Sequence, residues 1–495
     1  MLKSLPTRAV SGLASALAFA SSFAATSASA QPASAASPAP AASATAAIPA
    51  AVQTTQGALR DGTPYRIDYP ERWNGVVLIG LDYASRPPGA DATALLAEGY
   101  ALAGTTRTVT GWAIHRSAAN AIETLDLFEA KYGKAKHAVE LGQSQGGHTA
   151  AVSMQAYPAR WAGAVVKCGG LSGSVGQWQA KLDGLFVAKM LIAPQSSLPV
   201  TGIAADWQQT ALPAWTEALN AAEKTPAGLA RIALAARIAQ LPEWSDPAKP
   251  QPASGDAHAR AQGLADSLVR SLLRQAMSSR SEIERLSGGN ISSNEGVDYG
   301  ALLAALDGDG LIASLYREAG LDLADDLARL ARAPRLRADP AAKAFVATGV
   351  FDGRLAMPVL TLSALGDAIS PPASQSFYEG AVGAAGKGAL LRQVYTNSAG
   401  HCGFTPAETV ASVHTLMQRI DSGKWPETNA SSMTQAAQAT QLGASRFVDY
   451  TPPRFQRSYD SCQLLRDLQQ AKADPVRLPG QALPACVAPQ TAAGR

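Results

Sequence analysis

The sequence predicts an α/β fold in which a mostly parallel central sheet is interrupted by a large helical insertion. Two parts of the chain, residues 60–170 and 355–422, alternate short apolar β-type runs with helical patterns. Between them, residues 171–354 show helical patterns broken at proline and glycine, without a clear strand. Parallel strands need helix-sized crossovers, so the alternation is typical of an α/β sheet, and the block between its halves is predicted to cap one end.

The first half of the predicted sheet begins with four elements. Residues 65–69 alternate like a strand, whereas 75–81 form a continuous apolar run typical of an inner strand buried on both faces. A short helix at 92–98 leads to another buried strand at 100–105. Apolar residues at steps of three and four, starting at Ala118, then predict an amphipathic helix.

A serine occupies the sharp turn between the next strand and helix. The apolar run 138–141 leads into Gly142-Gln143-Ser144-Gln145-Gly146-Gly147, and 148–154 continue as a helix, with a further strand at 163–168. Glycines at such a bend avoid clashes with neighbouring backbone, and a helix N-terminus offers unpaired amides. The turn makes Ser144 the candidate nucleophile.

After the helical block the sheet resumes. The patterns predict strands at 358–365 and 390–395, the latter being the last, a helix from Pro371 through Tyr378, and a final core helix at 407–420. Beyond Trp425 the chain is expected to be polar and irregular. The predicted organisation is a signal peptide (1–30), an Ala/Pro/Ser-rich linker (31–52), a core in two parts (53–170 and 355–424), a helical cap (171–354) and a C-terminal extension (425–495).

The N-terminus has the pattern of an export signal. Lys3 and Arg8 precede a mostly apolar stretch of small residues, and Ala28-Ser29-Ala30 matches a cleavage site. The stretch is shorter than the ~20 residues of a membrane span, so stable membrane insertion is not expected. The sequence therefore predicts an exported protein, periplasmic or extracellular.

Charge and cysteine content narrow the possible functions. The formal net charge is only +3 and basic residues are scattered, which argues against nucleic acid as a partner. Four cysteines are an even number in an oxidising compartment and fit no zinc-binding spacing. Three pairings are possible; Cys462 with Cys486 is the natural first pair, which leaves Cys168 for Cys402.

A serine nucleophile needs a base and an orienting carboxylate at the carboxyl ends of neighbouring strands. Asp367 ends one predicted strand in the turn Gly366-Asp367, and His401 follows the next strand with a glycine before it. The order serine, acid, histidine is the one that such a sheet requires. Ser144, His401 and Asp367 are therefore the candidate catalytic residues.

Other acids and histidines fit these roles less well. His148, one helical turn after Ser144, is expected to pack or support, whereas His115, close to Trp112, is a candidate pocket residue. Asp352 precedes its strand, and Asp82, after the strand 75–81, is the stronger rival to the Gly366-Asp367 turn. Three histidines lie at the wrong strand end or within helical patterns: His137, His258 and His414.

With these motifs, the chain resembles secreted bacterial members of the α/β-hydrolase superfamily. The glycine-rich elbow, the Gly366-Asp367 turn and the loop Ala399-Gly400-His401-Cys402-Gly403-Phe404 carry the resemblance, which covers about 60–170 and 355–422. It implies Ser144 as nucleophile, His401 as general base and acid, and Asp367 as the orienting carboxylate.

The resemblance also implies an oxyanion hole built from backbone amides. One donor is the amide of Gln145, and the other comes from the loop Gly80-Leu81-Asp82-Tyr83, through Leu81 or Asp82. A carboxylate in that loop has two interpretations. Asp82 either forms an ion pair or hydrogen bond that shapes the loop, which is favoured, or recognises a polar or cationic group of the substrate.

Tannases and feruloyl esterases are a more distant comparison. They link a cysteine beside the catalytic serine to one beside the histidine, whereas this chain has Gln143 before Ser144 and Cys402 after His401. A Cys168–Cys402 disulfide is expected to hold the histidine loop by another route.

The sequence therefore predicts an exported serine hydrolase that cleaves carboxylic esters of small-molecule or oligomeric substrates, without a metal or cofactor. Its pocket is expected to include Asp82, Tyr83, Trp112 and His115. The alternatives are a prolyl or tripeptidyl aminopeptidase, which needs acidic residues in the cap to bind an amine, an acyltransferase that excludes water, and a binding protein that has lost activity. The patterns do not define an oligomeric state.

Overall fold

A nine-stranded sheet forms the centre of the computed structural model, which describes residues 51–473, 478, 480–482 and 484–486. The predicted signal peptide (1–30) and almost all of the predicted linker (31–52) lie outside these residues. The strands are β1 (Val52–Ala58), β2 (Pro64–Pro70), β3 (Val76–Leu81), β4 (Ala101–Thr105), β5 (His137–Gln143), β6 (Gly163–Lys167), β7 (Val359–Gly366), β8 (Leu391–Ala399) and β9 (Phe447–Val448).

Helices surround the sheet and fill the insertion. They are α1 (Ala90–Ala97), α2 (Ile114–Tyr132), α3 (Gln145–Ala156), α4 (Gly173–Ile192), α5 (Ala211–Glu223), α6 (Pro226–Ile238), α7 (Ala257–Ala265), α8 (Leu273–Ser287), α9 (Tyr299–Leu306), α10 (Leu311–Glu318), α11 (Leu323–Arg332), α12 (Pro340–Ala347), α13 (Ala373–Ala384), α14 (Pro406–Ser422), α15 (Ala430–Ala439) and α16 (Ser461–Gln470). Within the described part of the chain, none of them has the length and apolar character needed to cross a bilayer.

The strands lie in the order β1-β2-β4-β3-β5-β6-β7-β8-β9. Neighbours from β4 to β8 pair in parallel, while β1 and β2 at one edge and β9 at the other pair antiparallel. The mostly parallel sheet confirms the predicted fold class. Because parallel strands end at one edge of the sheet, the loops after β3, β5, β7 and β8 meet there.

Each face of the sheet is covered by helices, which explains the continuous apolar runs of the inner strands. Val77 and Ile79 of β3 pack with side chains of α2 and α3 on one face, while Val76 and Leu78 pack with α1 and α14 on the other. Successive strand residues thus enter opposite cores.

Helices α4 to α12 form the insertion between β6 and β7. Residues 171–354, all of which are described, contain helices and no strand, as predicted. Side chains such as Phe186 of α4, Leu234 of α6 and Met277 of α8 belong to one buried apolar cluster. The insertion therefore has a hydrophobic core of its own. Its first helix, α4, follows β6 and lies at the carboxyl edge of the sheet.

Parts of the sequence prediction are wrong at the edges of the fold. β1 begins within the predicted linker; most of its side chains are exposed, so it lacks the apolar alternation of a half-buried strand. The C-terminal extension is not irregular, because α15, α16 and the short β9 lie in it. Asp460 caps α16, whose buried Leu464 and Leu468 are one turn apart. Between α7 and α8 the insertion contains a π-helical turn, Asp266–Leu272.

Candidate active site

Ser144 lies between the end of β5 and the start of α3, at the carboxyl edge of the parallel strands. Its φ of 57° and ψ of −120° form a conformation that residues other than glycine rarely adopt. The Ser144 amide donates to the carbonyl of Lys167 at 3.0 Å. A Cβ at Gly142 would collide with the carbonyl of Gly146, and one at Gly147 would lie 2.8 Å from that of Lys167. Both glycines therefore permit the close backbone approach of this turn.

The loop after β8 brings His401 to this serine. Ser144 Oγ and His401 Nε2 are 2.6 Å apart, and His401 Nδ1 lies 2.8 Å from Oδ2 of Asp367. The Asp367 side chain is fully buried, whereas 27% of the His401 side chain is exposed. The three residues predicted as nucleophile, base and acid thus form one continuous chain of hydrogen bonds.

Asp367 is fixed by the turn in which it lies. The amides of Ile369 and Ser370 donate to its Oδ1 at 2.8 and 2.9 Å. Gly366, the last residue of β7, packs so closely that a Cβ there would lie 2.7 Å from the Cα of Ala399 on β8. This contact sets the separation of the two strand ends and therefore the position of Asp367 relative to the His401 loop.

The residues predicted for the oxyanion hole surround Ser144. Gln145 is the first residue of α3, where amides lack partners within the helix. Leu81 at the end of β3 packs against the elbow, since a Cβ at Gly146 would lie 3.4 Å from the Leu81 carbonyl oxygen. Asp82 follows with φ 71°. The structure therefore brings Gln145, Leu81 and Asp82 to one place.

The Asp82 carboxylate faces Arg107, a residue that sequence reasoning missed. Arg107 Nε donates to Asp82 Oδ1 at 3.0 Å, and its Nη2 contacts Oδ2 of the same carboxylate. Arg107 Nη1 also donates to Gln145 Oε1 at 2.6 Å. One guanidinium thus ties the Asp82 loop to the elbow, which agrees with the favoured interpretation of Asp82. Arg107 lies in an irregular loop after β4, where no motif marks it.

Two cavities open beside Ser144. A cavity of about 280 Å³ faces the insertion, and the predicted pocket residue Trp112 lines it together with Lys181 and His401. A second cavity of about 540 Å³ lies beside the Asp82 loop, and Asp82 and Tyr83 line it. The Tyr83 hydroxyl donates to Asp68 Oδ2 at 2.5 Å and is therefore already engaged within the core.

His115 does not line either of these cavities, so its prediction as a pocket residue is wrong. The side chain is buried, with Nδ1 3.3 Å from the Thr348 hydroxyl and its ring edge against Phe345. Burial lowers the pKa of His115 to about 4, so the ring is neutral at neutral pH. The physical reason is that α2 begins at Ile114 rather than at Ala118 and carries His115 into the interior.

His148 packs behind the elbow, as expected. Its Nε2 lies 2.8 Å from the carbonyl of Gly349, and its Nδ1 lies 3.2 Å from Nε2 of Gln177. Burial lowers the pKa of His148 to about 4, which keeps the ring neutral. These contacts join α3 to the beginning and the end of the insertion.

Two buried lysines at the cavities were also missed by sequence reasoning. Lys167 Nζ lies 3.7 Å from Asp91 Oδ2. Lys181, on α4, donates to Gln275 Oε1 at 3.1 Å. Burial lowers the pKa of Lys181 to about 7, although the nearby Asp367 carboxylate acts in the opposite direction. One lysine lies on a strand and the other on a buried helix of the insertion, where sequence patterns show packing but not which side chains face a cavity.

Cys168 and Cys402 form a disulfide with a Cα–Cα distance of 5.4 Å, and Cys462 pairs with Cys486 in the C-terminal extension. The first links the end of β6 to the residue after His401. Four potential metal ligands lie within 4.8 Å of one another: Cys168, Asp367, His401 and Cys402. The two sulfurs are bonded to each other and offer no thiolate, so this cluster is not a plausible metal site.

Comparison with known proteins finds a relative whose sequence similarity covers most of the chain. An o-phthalyl amidase of Xanthobacter agilis is 30% identical over 442 residues, which cover 81% of this chain and 96% of that protein. No family model matches the chain.

The similarity to solved structures is low. An esterase of Aspergillus oryzae is 14% identical, with a TM-score of 0.37 and coverage of 74% of this chain and 78% of that chain. An esterase of Pyrococcus furiosus is 10% identical, with a TM-score of 0.36 and coverage of 74% and 91%. The parallel sheet and the serine elbow, rather than these similarities, define the fold as that of an α/β-hydrolase. Because it is 30% identical to the Xanthobacter agilis o-phthalyl amidase over nearly the whole length of that protein, the chain belongs to the same family.

Proposed function

We propose that the protein is a serine hydrolase that cleaves carboxylic acid derivatives through an acyl-enzyme, with Ser144, His401 and Asp367 as its catalytic residues. The supporting observation is the chain of hydrogen bonds that joins Ser144 Oγ to His401 Nε2 and His401 Nδ1 to Asp367. A serine hydroxyl needs such a base to become nucleophilic near neutral pH.

In the first half of the reaction, Ser144 Oγ attacks the substrate carbonyl carbon while His401 Nε2 accepts its proton. The carbonyl π electrons move to the oxygen, which the amides of Gln145 and of Leu81 or Asp82 stabilise. Collapse of the tetrahedral intermediate breaks the bond to the leaving group, and His401 returns the proton to it. The acyl group remains esterified to Ser144.

In the second half, water attacks the acyl-enzyme while His401 takes one of its protons. The bond between the acyl carbon and Ser144 Oγ then breaks as His401 returns its proton to Oγ, so that the carboxylic acid leaves and the Ser144 hydroxyl is restored. Asp367 holds the imidazole in the required tautomer and stabilises its charged form. Removal of an oxyanion donor in such sites typically costs about 10²- to 10³-fold in rate. Arg107, which fixes both the Asp82 loop and the Gln145 side chain, is proposed to hold these donors in place.

The bond cleaved is proposed to be a carboxylic ester, as the sequence suggests. An amide is the second candidate, because the relative from Xanthobacter agilis is named an amidase. The two are distinguished by comparing the 4-nitrophenyl ester and the 4-nitroanilide of one and the same acid. If kcat/KM relative to the enzyme-free rate is higher for the anilide than for the ester, the enzyme is an amidase rather than an esterase.

An aminopeptidase is less well supported. Such an enzyme needs acidic groups in the cap to bind the substrate amine, and among the described residues neither cavity at Ser144 is lined by an Asp or Glu of the insertion. The acids that do line one cavity, Asp82 and Asp91, already face Arg107 and Lys167. The intact hydrogen-bonded arrangement likewise argues against an inactive binding protein.

We also propose that the protein is exported to the periplasm or the extracellular space. The N-terminal pattern of residues 1–30 and the disulfides Cys168–Cys402 and Cys462–Cys486 support this location. Expression of the full chain and N-terminal sequencing of the mature protein test it. A mature protein that starts at Gln31 is expected, and retention of the uncleaved chain in the cytoplasm would contradict export.

A fluorophosphonate probe tests the chemistry directly. The wild-type protein should be labelled at Ser144, and Ser144→Ala should be neither labelled nor active. Ser431→Ala, on the exposed side of α15, is the matched control and should be labelled like the wild type. A folded wild-type protein that resists the probe would end the serine hydrolase proposal.

A further inference from the structure

Tyr83 lies in the loop that carries the candidate oxyanion donors Leu81 and Asp82. It directly follows Asp82, and its hydroxyl donates to Oδ2 of Asp68 at 2.5 Å. Asp68 belongs to β2, which pairs antiparallel with both of its neighbours, and only 1% of the residue is exposed. A strand outside the parallel part of the sheet is therefore hydrogen-bonded to the loop beside Ser144.

The Asp68 carboxylate is itself fixed by its own hairpin. Thr54 Oγ1 on β1 donates to Oδ1 at 2.6 Å, and Arg66 Nε on β2 donates to Oδ2 at 2.7 Å. The ion pair with Arg66 offsets the cost of burying the carboxylate. A hydrogen bond to an ionised acceptor is roughly twice as strong as one between neutral groups, so Asp68 is a firm anchor for the Tyr83 hydroxyl.

Close backbone packing leaves the loop little room to move independently of Tyr83. A Cβ at Gly104 on β4 would lie 2.7 Å from the Cβ of Tyr83 and would collide with the carbonyl of Gly80. Asp82, between Gly80 and Tyr83 in sequence, has a φ of 71°. The turn at Asp82 is thus held between two residues that both pack against β4, so a shift of Tyr83 displaces the Asp82 amide.

We propose that Tyr83 is a positioning residue for the oxyanion hole, because its bond to Asp68 holds the backbone amides of Leu81 and Asp82 where the oxyanion forms. The inference rests on the proposed function, since it assumes that the reaction passes through an oxyanion. Arg107 holds the Asp82 carboxylate from the side of the elbow. Tyr83 holds the next residue of the same loop from the side of β2, and donors fixed from both sides need no reorganisation during the reaction.

Tyr83 also lines the cavity beside this loop, where a tyrosine could act on the substrate directly. Its hydroxyl proton is instead directed to Asp68. Burial, reinforced by the hydrogen bond to Asp68, raises the pKa of Tyr83 well above its usual range. The charged groups that face this hydroxyl are Asp68, Arg66 and Asp91. The phenol therefore keeps its proton, and its bond to Asp68, at every pH at which the enzyme works.

Tyr83→Phe removes the hydroxyl and keeps the ring. On the faster of the nitrophenyl ester and the nitroanilide, kcat should fall about 10- to 100-fold while KM stays within about twofold, because the donors are displaced rather than lost. Benzeneboronic acid forms a tetrahedral adduct with a nucleophilic serine and thereby resembles the transition state. Its inhibition constant should rise in Tyr83→Phe by a factor similar to the fall in kcat.

Tyr316→Phe is the matched control. The Tyr316 hydroxyl donates to Oδ2 of the buried Asp326 at 3.2 Å, and neither residue is among the described residues that line the two cavities at Ser144. Both variants lose a hydrogen bond from a tyrosine to a buried aspartate, so both should unfold at a lower urea concentration than wild type. Only Tyr83→Phe should lose kcat and affinity for the boronic acid. Wild-type values of both in Tyr83→Phe would show that Tyr83 has a merely structural role and would overturn the proposal.

Asp68→Asn tests the same bond from the side of its acceptor and replaces Tyr83→Phe if that variant does not fold. It weakens the bond by removing the charge of the acceptor, so kcat should fall with KM retained. A folded Asp68→Asn protein with the kcat of wild type would contradict the role of the bond.

A pH series separates positioning from direct action on the substrate. Because the phenol stays protonated, the ratio of kcat in wild type to kcat in Tyr83→Phe should be constant between about pH 6 and about pH 10. Titration of His401 affects both proteins and divides out of the ratio. A ratio that follows an ionisation of its own would mean that Tyr83 acts as an acid or base, which would overturn the assignment as a positioning residue.

The failure of this inference differs from a failure of the proposed function. Without serine hydrolase activity, the wild-type protein reacts neither with the fluorophosphonate probe nor with any substrate. With activity but without the proposed role of Tyr83, the wild-type protein reacts with both, and Tyr83→Phe has the same kcat as Tyr316→Phe.

Discussion

Replacement of both Cys168 and Cys402 by alanine removes the covalent link between the end of β6 and the loop that carries His401. The disulfide joins residues 234 apart in sequence, and the Cys462–Cys486 pair joins residues 24 apart. In the loop-entropy model these separations correspond to about 5.5 and about 3.4 kcal/mol of stabilisation at 25 °C. The two loops do not overlap, so each can be removed alone.

The Cys168→Ala/Cys402→Ala protein should therefore unfold at a lower urea concentration than the Cys462→Ala/Cys486→Ala protein, with a difference of about 2 kcal/mol. It should also lose activity, because the Cys402 tether holds the adjacent His401 at 2.6 Å from Ser144 Oγ. A displacement of about 1 Å can cost about 100-fold in rate. The tail variant should keep its kcat.

Urea titration followed by circular dichroism, together with kcat on a single nitrophenyl ester under conditions where all variants are folded, checks both statements. Equal unfolding midpoints for the two double variants would refute the loop-entropy reasoning. Wild-type kcat in Cys168→Ala/Cys402→Ala would refute the idea that the disulfide positions His401.

Three further changes test the geometry of the site. Asp367→Asn should lower kcat about 10³- to 10⁴-fold with the fold intact, because the imidazole loses its orienting carboxylate; a loss of less than 10-fold would mean that another acid serves. Arg107→Met should lower kcat about 10- to 100-fold, because the Asp82 loop loses its ion pair and the elbow loses the hydrogen bond to Gln145 that the same guanidinium provides. Arg116→Met, which breaks a surface ion pair with Asp61, is the control and should be near neutral. Gly147→Ala should lower the free energy of unfolding by about 1–3 kcal/mol, since its Cβ would lie 2.8 Å from a backbone carbonyl oxygen. Thermal melts of this variant and of Gly380→Ala measure the effect. A Cβ at Gly380 on α13 meets open space, so Gly380→Ala should be neutral or slightly stabilising. Equal effects of the two glycine changes would contradict the steric argument.

The sequence predicts those parts of the molecule where burial leaves a periodic pattern. The inner strands β3 and β4 are mostly apolar runs because both faces are covered, and the polar residues after strand ends are conspicuous against such runs. For this reason Asp367 and His401 could be located without coordinates. The strand order of the fold then brings them to Ser144.

The parts that sequence reasoning missed depend on contacts between distant segments. Arg107 lies in a loop, and its role appears only when Asp82 and Gln145 are seen on either side of it. Lys181 lies on a helix that is buried almost all round, so its sequence context resembles that of a core position. The prediction for His115 is wrong because the apolar pattern starts the helix at Ala118, whereas α2 begins one turn earlier, at Ile114. One helical turn decides whether a side chain faces a cavity or the core.

The Cys168–Cys402 bond has a consequence for the integrity of the molecule. The two cysteines lie on opposite sides of the insertion in sequence, so the chain from Gly169 to His401 is a covalently closed loop. A protease cut anywhere within the helical insertion leaves the two halves of the sheet joined as one molecule, which separates into two fragments only after reduction. Insertion residues such as Lys181, which line the cavity beside Ser144, can therefore lie on a nicked segment while the part of the sheet that carries Ser144 stays attached to the part that carries Asp367 and His401.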